Sequence, residues 1–514
     1  MSKMGLPDIW IDRVMCCVMS ASFSVRINGK SYGNIRPSRG IRQGDPLSPY
    51  LFLLCAEGFT SLLARAQNEG CIHGVAVCRR APSTSHLLFV DDSLLFCRAT
   101  QGEVQVISEL LQTYADASGQ CINFDKSSVY FSTNTAMGQR ERIKGELGVR
   151  KVDRFESYLG LPTLVGRAKY QTFSYIKDKV WKKIHGCKGQ LLSRAGNEIL
   201  IKAITQSILT YTMGVFLLPM RLCNDLNAMC ARFWWGQIGN ERKIIGRART
   251  LSKKDGGMGF RDLRSFNLAM LAKQGWRLLQ EEDSLVYGCF KAKYFPRSSF
   301  LEASDVPNSS FVWKSLLAAQ PLLKKGSCWR VGNGTSIRIL HEKWIPNHPS
   351  NQVLQQPPEM DGEWRVNELI DETRHDWDRV LIREMFSREE AEAIIHILLS
   401  KRDIPDSVAW LPNKDGVFSV KSGYAIAWLL TKETDGMVGS STGQNRRLIW
   451  QRLWRLHLPN KIKIFGWRVC HDILPTKDNL VWRRITEDSV CELCQQGPET
   501  GIHVLWDCGV ARGI

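Results

Sequence analysis

The sequence has no long apolar stretch. Nowhere in its 514 residues do apolar side chains run uninterrupted for the length of a bilayer, which takes about eighteen or more of them. The opening Met1-Ser2-Lys3-Met4-Gly5-Leu6-Pro7 also lacks the apolar core of a secretory signal. With no secretion route visible, the 16 cysteines are expected to be reduced thiols or metal ligands. The expected location is intracellular, nuclear or cytoplasmic, away from membranes. No His-Glu-x-x-His or comparable His cluster occurs, which sets metal hydrolases aside. The glycines of Gly256-Gly257-Met258-Gly259 are not followed by Gly-Lys-Ser/Thr, so this turn is no phosphate loop.

Acid is in deficit. Lys and Arg number 69 against 51 Asp and Glu, a formal charge of +18. Half of that excess lies in residues 181–260, where 13 basic residues face 4 acidic ones. An excess of this size favours a polyanionic partner, nucleic acid before an anionic membrane, over a merely well-solubilised surface. Apolar content of 44% and charged content of 23% are ordinary. The length allows roughly two to four domains.

Against this background, His86-Leu87-Leu88-Phe89-Val90-Asp91-Asp92-Ser93-Leu94-Leu95-Phe96 is distinctive. Two short apolar runs flank Asp-Asp-Ser, which is turn chemistry. The simplest local structure is a β-hairpin with the acids at its tip. Neighbouring strand residues point to opposite faces, yet a bend at the tip brings both acids towards one cation, the usual means of holding carboxylates together. The alternative is an ordinary solvated turn.

Other elements follow from spacing. Ile9, Trp10, Ile11 and Val14 suggest a helix. Ser22 to Ile27 alternates like a strand before Asn28-Gly29, a hairpin turn. Ser48-Pro49 suits a helix start, with Ser48 as cap, and the helix runs to about Gln67. Val104, Ile107, Leu110, Leu111 and Tyr114 form a helical face ended by Ser118-Gly119. Ile122 and Phe124 alternate towards Lys126. A helix is expected from Gln190 to Met213, with Arg194, Glu198, Lys202 and Thr205 as its polar stripe. Phe233-Trp234-Trp235 reads as core or as a base-stacking surface. Hairpins are expected at Trp329–Ile339 and Trp410–Val420. Near the end stands Cys491-x₂-Cys494-x₈-His503-x₄-Cys508. Three thiolates and an imidazole fill a closed tetrahedral Zn²⁺ shell; a chance Cys pair is the alternative. Arg455, Lys461, Lys463, Arg468, Arg483 and Arg484 accompany it as possible nucleic-acid contacts.

Three stretches occur in a telling order: Arg39-Gly40-Ile41-Arg42-Gln43-Gly44-Asp45-Pro46-Leu47-Ser48-Pro49, the Phe89-Val90-Asp91-Asp92 hairpin, and Ser118 to Ser127. Together they resemble the reverse transcriptase of plant LINE-type (non-LTR) retrotransposons. The likeness continues through the zinc-binding segment of those elements, so it covers nearly the whole chain. It implies an α+β fold: a partial right-hand polymerase palm, a mostly helical thumb and connector, and a small helical zinc-binding end. The corresponding divisions are 1–135, 136–240, 241–345, 363–432 and 447–514.

The resemblance implies RNA template and DNA primer or duplex as partners, and Mg²⁺ held by Asp91 and Asp92. Gln43 and Gly44 would sit near nucleotide and template, and Arg39 and Arg42 near phosphate. Lys126 would protonate the departing pyrophosphate, or else serve as a helix-end or phosphate-binding lysine. It also implies a further aspartate, on a strand upstream of Arg39. The acids there are Asp8 and Asp12, neither in such a setting. The expectation is therefore an N-terminally truncated polymerase that polymerises poorly. A non-catalytic, zinc-containing RNA- or DNA-binding remnant is the alternative, and a product with no role of its own is a third.

Overall fold

The computed structural model describes residues 1–37, 42, 44–186, 193–235, 253, 256–346, 348–356, 360, 362–371, 373–434 and 444–513. The chain divides into two units, Met1–Leu164 with Gly288–Lys293, and Val165–Tyr287 with Tyr294–Ile514. Helices dominate, mixed with small sheets of two strands each. No helix among the described residues is long and apolar enough to cross a membrane.

The first unit opens with α1 (Asp8–Met19), β1 (Phe23–Ile27) and β2 (Lys30–Ile35). Asn28 and Gly29 join the strands with φ of 49° and 86°, the double positive value that matches strand twist in a two-residue hairpin. α2 (Ser48–Asn68) follows, with Pro49 in its first turn. Ser48 is not its cap. Leu47 holds that place, because the Ser48 hydroxyl donates to the Arg42 carbonyl at 2.7 Å and the Asp45 carboxylate accepts from the Leu47 N–H at 2.8 Å.

β3 (His86–Phe89) and β4 (Asp92–Leu95) pair antiparallel, and α3 (Gln101–Ser118) follows. Thr100 caps α3 by accepting from the Glu103 N–H, and Gly119 ends it at φ 70°. Phe59, Leu63 and Ala66 of α2, Ile72 and Ile107 of α3 form a core on which Leu88 and Leu95 of the hairpin pack. The two helices are thus the platform under the hairpin.

β5 (Ser128–Val129) pairs parallel with β6 (Arg150–Lys151), and α4 (Met137–Leu147) lies between them in the chain. The alternation at Ile122–Phe124 forms a turn rather than a strand, since the N–H groups of Lys126 and Ser127 both bond the Asn123 carbonyl. β7 (Ser157–Tyr158) and β8 (Leu161–Pro162) close this part of the chain.

The remaining helices are α5 (Lys169–Gly186), α6 (Arg194–Leu200), a π-helical turn at Ile201–Thr205, α7 (Gln206–Met213), α8 (Met220–Trp235), α9 (Leu263–Gln280), α10 (Leu285–Tyr294) and α11 (Phe311–Gly326). After β9 (Ser327–Arg330) come β10 (Ile370–Asp371), β11 (Asp376–Trp377), α12 (Arg379–Met385), α13 (Arg388–Ile395) and β12 (Ser407–Trp410). The chain finishes with α14 (Val420–Thr434), α15 (Gln444–Arg455), α16 (Asn460–Cys470) and α17 (Lys477–Trp482).

Neither hairpin expected in the second half forms. β9 pairs with the distant β12, because Asp406 draws the Gly332, Gly334 and Ser336 N–H groups to its carboxylate at 2.8–2.9 Å. Beyond Trp410 the chain turns tightly, Trp410 N–H to Gly416 carbonyl at 2.7 Å, and enters α14.

Glu198, Lys202 and Thr205 of the polar stripe on α6 and its π turn face inward. Glu198 is buried and pairs with Lys202 at 2.6 Å and Lys253 at 3.2 Å. Lys202 also donates to the Met258 carbonyl at 2.8 Å. Trp234 is core, 1% exposed. It shares a cluster with Ile201, Met258 and Phe260 and with Trp450, Ile464 and Trp467 of α15 and α16. The helices leading to the zinc ligands are therefore built into the second unit's core.

Candidate catalytic hairpin and metal centre

The hairpin turn consists of Val90 and Asp91, with Phe89 opposite Asp92. Both carboxylates are exposed, as is Ser93. Val90 has φ 51°. A β-branched residue is disfavoured there, at a cost of about 1–3 kcal/mol, and such outliers cluster at functional sites. Val90 is 65% exposed, so its own burial does not offset the strain.

Below the acids, Glu103 holds the hairpin's base. This buried carboxylate accepts from the Arg98 N–H at 2.9 Å, from the His73 N–H at 2.9 Å, and meets His73 Nδ1 at 2.9 Å. Burial pushes its pKa up, but the bonds from His73 and Arg98 outweigh that and hold it below the usual carboxylate value. One side chain thus fixes the exit of β4 and the loop after α2. Glu103 belongs to none of the motifs singled out in the sequence. Its signal was the Thr100-x-x-Glu103 spacing of a helix start.

The other expected contacts are dispersed. Arg42 lies in the loop before α2, and Gly44 there adopts φ 85°. Arg39 and Gln43 lie outside the described residues. Lys126 is exposed in its turn. Among the described residues, no hydrogen bond or ion pair joins Arg42 or Lys126 to Asp91 or Asp92. Nor does any described group of three metal-ligating side chains include these acids.

At the other end, Cys491, Cys494, His503 and Cys508 converge, their ligand atoms all within 4.8 Å of one another. Cys494 Sγ is 3.1 Å from His503 Nε2. A tetrahedral zinc shell needs sulfur–sulfur separations of about 3.8 Å, given Zn–S bonds of about 2.3 Å, so the four side chains fit the ion. The cysteine pair sits on a turn in which Cys491 N–H bonds the Gly497 carbonyl at 2.9 Å.

His503 and Cys508 bracket a second π-helical turn, His503–Asp507, closed by Cys508 N–H to His503 carbonyl at 2.7 Å. Five residues overshoot one α-helical turn; the wider π turn returns both ligands to one side. The N–H groups of Cys494 and Leu493 hold the Cys491 thiol below its ordinary range. Those of Ala511 and Val510 do the same for Cys508. Cys494, against the pull of the Gln496 N–H, is pushed up by burial and by the two neighbouring thiols. The shifts at Cys491 and Cys508 both run towards the thiolate that zinc requires.

Residues 1–163 match the family model of reverse transcriptase (RNA-dependent DNA polymerase). Residues 418–514 match the model for zinc-binding in reverse transcriptase. An uncharacterized mitochondrial protein of Arabidopsis thaliana is 37% identical over 139 residues, which are 26% of this chain and 90% of that protein. The chain belongs to the reverse transcriptase family.

Its relatives are tied to mobile elements and to plants. A putative ribonuclease H protein of Arabidopsis thaliana is 28% identical over 363 residues, 69% of this chain and 57% of that protein. The retrovirus-related Pol polyprotein from a type-2 retrotransposable element of Drosophila melanogaster is 32% identical over 123 residues, 24% of this chain and 11% of that polyprotein. The chain therefore spans little more than half of the first of these two relatives. The two matched segments flank a middle, residues 164–417, that neither family model covers.

Proposed function

We propose that this chain serves as the palm, thumb and zinc-bearing part of an RNA-directed DNA polymerase, with RNA template and DNA primer or duplex as partners. The strained, exposed Val90-Asp91 turn on its two-helix platform carries the reading. In it, Asp91 and Asp92 are the chain's contribution to a Mg²⁺ site, Arg39, Arg42, Gln43 and Gly44 contact nucleotide and template, and Lys126 serves the pyrophosphate. The divisions 1–135, 136–240, 241–345, 363–432 and 447–514 are its palm, thumb, two connectors and zinc-binding end. Zn²⁺ at Cys491, Cys494, His503 and Cys508 is structural, with no open position for water.

The donor set for Mg²⁺ is incomplete among the described residues. Two adjacent carboxylates hold it weakly, and losing charge stabilisation at a reacting phosphate costs orders of magnitude in rate. That observation favours a second reading, binding of RNA or DNA without catalysis.

Filter binding of a template–primer across salt concentrations, run beside primer extension on RNA with Mg²⁺ and deoxynucleotides, tests both. Binding with a steep salt slope and little or no extension is expected. Absence of binding at low salt overturns the polymerase reading. Robust extension that vanishes in Asp91→Ala overturns the incomplete site.

A further inference from the structure

Residues 447–484 carry nine Lys and Arg against two Asp. At the end of this stretch Trp482, the last residue of α17, is 80% exposed. A tryptophan normally gives up its large apolar surface to a core. Other tryptophans of this stretch do so: Trp450 and Trp467 are buried. Trp482 instead stands in solvent, with the Arg483 guanidinium 5.9 Å from its ring and Arg484 exposed beside it.

The platform under it is fixed. Asn479 donates to the Asp472 and Leu474 carbonyls at 3.2 and 3.1 Å. Lys477 pairs with Glu492, inside the Cys491–Cys494 turn, at 3.0 Å. α17 is therefore held both to the end of α16 and to the zinc turn.

We propose that Trp482, with Arg483 and Arg484, is a stacking site for an unpaired base of single-stranded RNA. The ring offers a flat face that any base can stack on, and the basic stretch supplies charge for the sugar-phosphate backbone. A duplex buries its base faces and cannot use the ring in this way. RNA is chosen over DNA because the strand read by an RNA-dependent polymerase is RNA, so the choice of polymer rests on the proposed function. The base-stacking geometry does not. The site lies outside the zinc shell and outside the Asp91–Asp92 hairpin, in a part of the chain for which polymerisation chemistry assigns no contact.

The test is fluorescence anisotropy of the full-length chain with a labelled, unstructured RNA oligonucleotide, for wild type, Trp482→Ala and Trp482→Phe. At 80% exposure, neither substitution removes core packing, and circular dichroism checks this. Trp482→Ala should weaken binding by about tenfold with the salt slope kept, and Trp482→Phe should restore most of it. Equal binding by wild type and Trp482→Ala overturns the site. Tighter binding of single-stranded DNA than RNA, again lost in Trp482→Ala, overturns the choice of RNA. RNA binding that is weakened in Trp482→Ala supports this site whether or not primer extension is seen, so the failure of catalysis and the failure of the site are told apart.

Discussion

Replacing Glu103 by alanine should loosen the base of the Asp91–Asp92 hairpin. Glu103 is 7% exposed, and its carboxylate receives two backbone N–H groups and one imidazole nitrogen. Alanine leaves the His73 and Arg98 N–H groups without their acceptor. Each buried donor so stranded costs about 1–3 kcal/mol, so the first unit should lose roughly 2–4 kcal/mol once partial access to water is allowed for. Glutamine keeps an oxygen for both N–H groups and should cost about 1 kcal/mol.

The two variants also separate by pH. The folded pKa of Glu103 is lowered, so its stabilisation is fully present above the unfolded carboxyl value. It fades as pH falls through the folded one. The advantage of wild type over Glu103→Gln should therefore hold at neutral pH and vanish in acid below the ordinary glutamate value, about 4.3. Hydrogen exchange at the amides of α2, α3 and β4, read against urea, isolates this unit from the rest of the chain. A Glu103→Ala protein within about 0.5 kcal/mol of wild type refutes the clamp, as does an advantage of wild type that survives in acid.

Three further outcomes are expected. Val90→Gly should stabilise the hairpin by about 1 kcal/mol in denaturant titration, since relief of left-handed strain exceeds the entropic cost of glycine. Gly256→Ala should destabilise by roughly 1–3 kcal/mol in thermal unfolding. Gly256 sits at φ 85°, and an added Cβ would come 2.6 Å from Trp450 Nε1. Chelation of zinc should strip exchange protection from the Cys491–Cys508 segment while sparing α15 and α16, whose Trp450 and Trp467 are held by the Ile201–Trp234 cluster; unfolding from residue 450 onward, the outcome expected of a free-standing zinc-binding end, would contradict that packing.

What the sequence made legible was local. Apolar runs around Asp91-Asp92, the Asn28-Gly29 turn, the face of α3 and the Cys-x₂-Cys spacing each depend on near neighbours. What it hid depends on distant ones. Glu198 and Lys202 read only as a polar stripe because nothing adjacent announces Lys253 or the Met258 carbonyl, which bind them from more than fifty positions away. The pairing of β9 with β12 was invisible for the same reason: Asp406 outcompetes the local Asn333-Gly334 turn from far along the chain. Ser48 failed as a cap because its hydroxyl reaches back six residues to Arg42.

The carbonyl of Gly256 accepts two donors from the C-terminal region, Trp467 Nε1 at 2.8 Å and His471 Nε2 at 2.7 Å. A fragment trimmed to the borders of the zinc-binding family match would lose this acceptor and lay bare Trp450 and Trp467. Such a piece should aggregate on expression. A soluble version has to begin upstream of α6, carrying the chain's own middle along with its cysteine-rich tail.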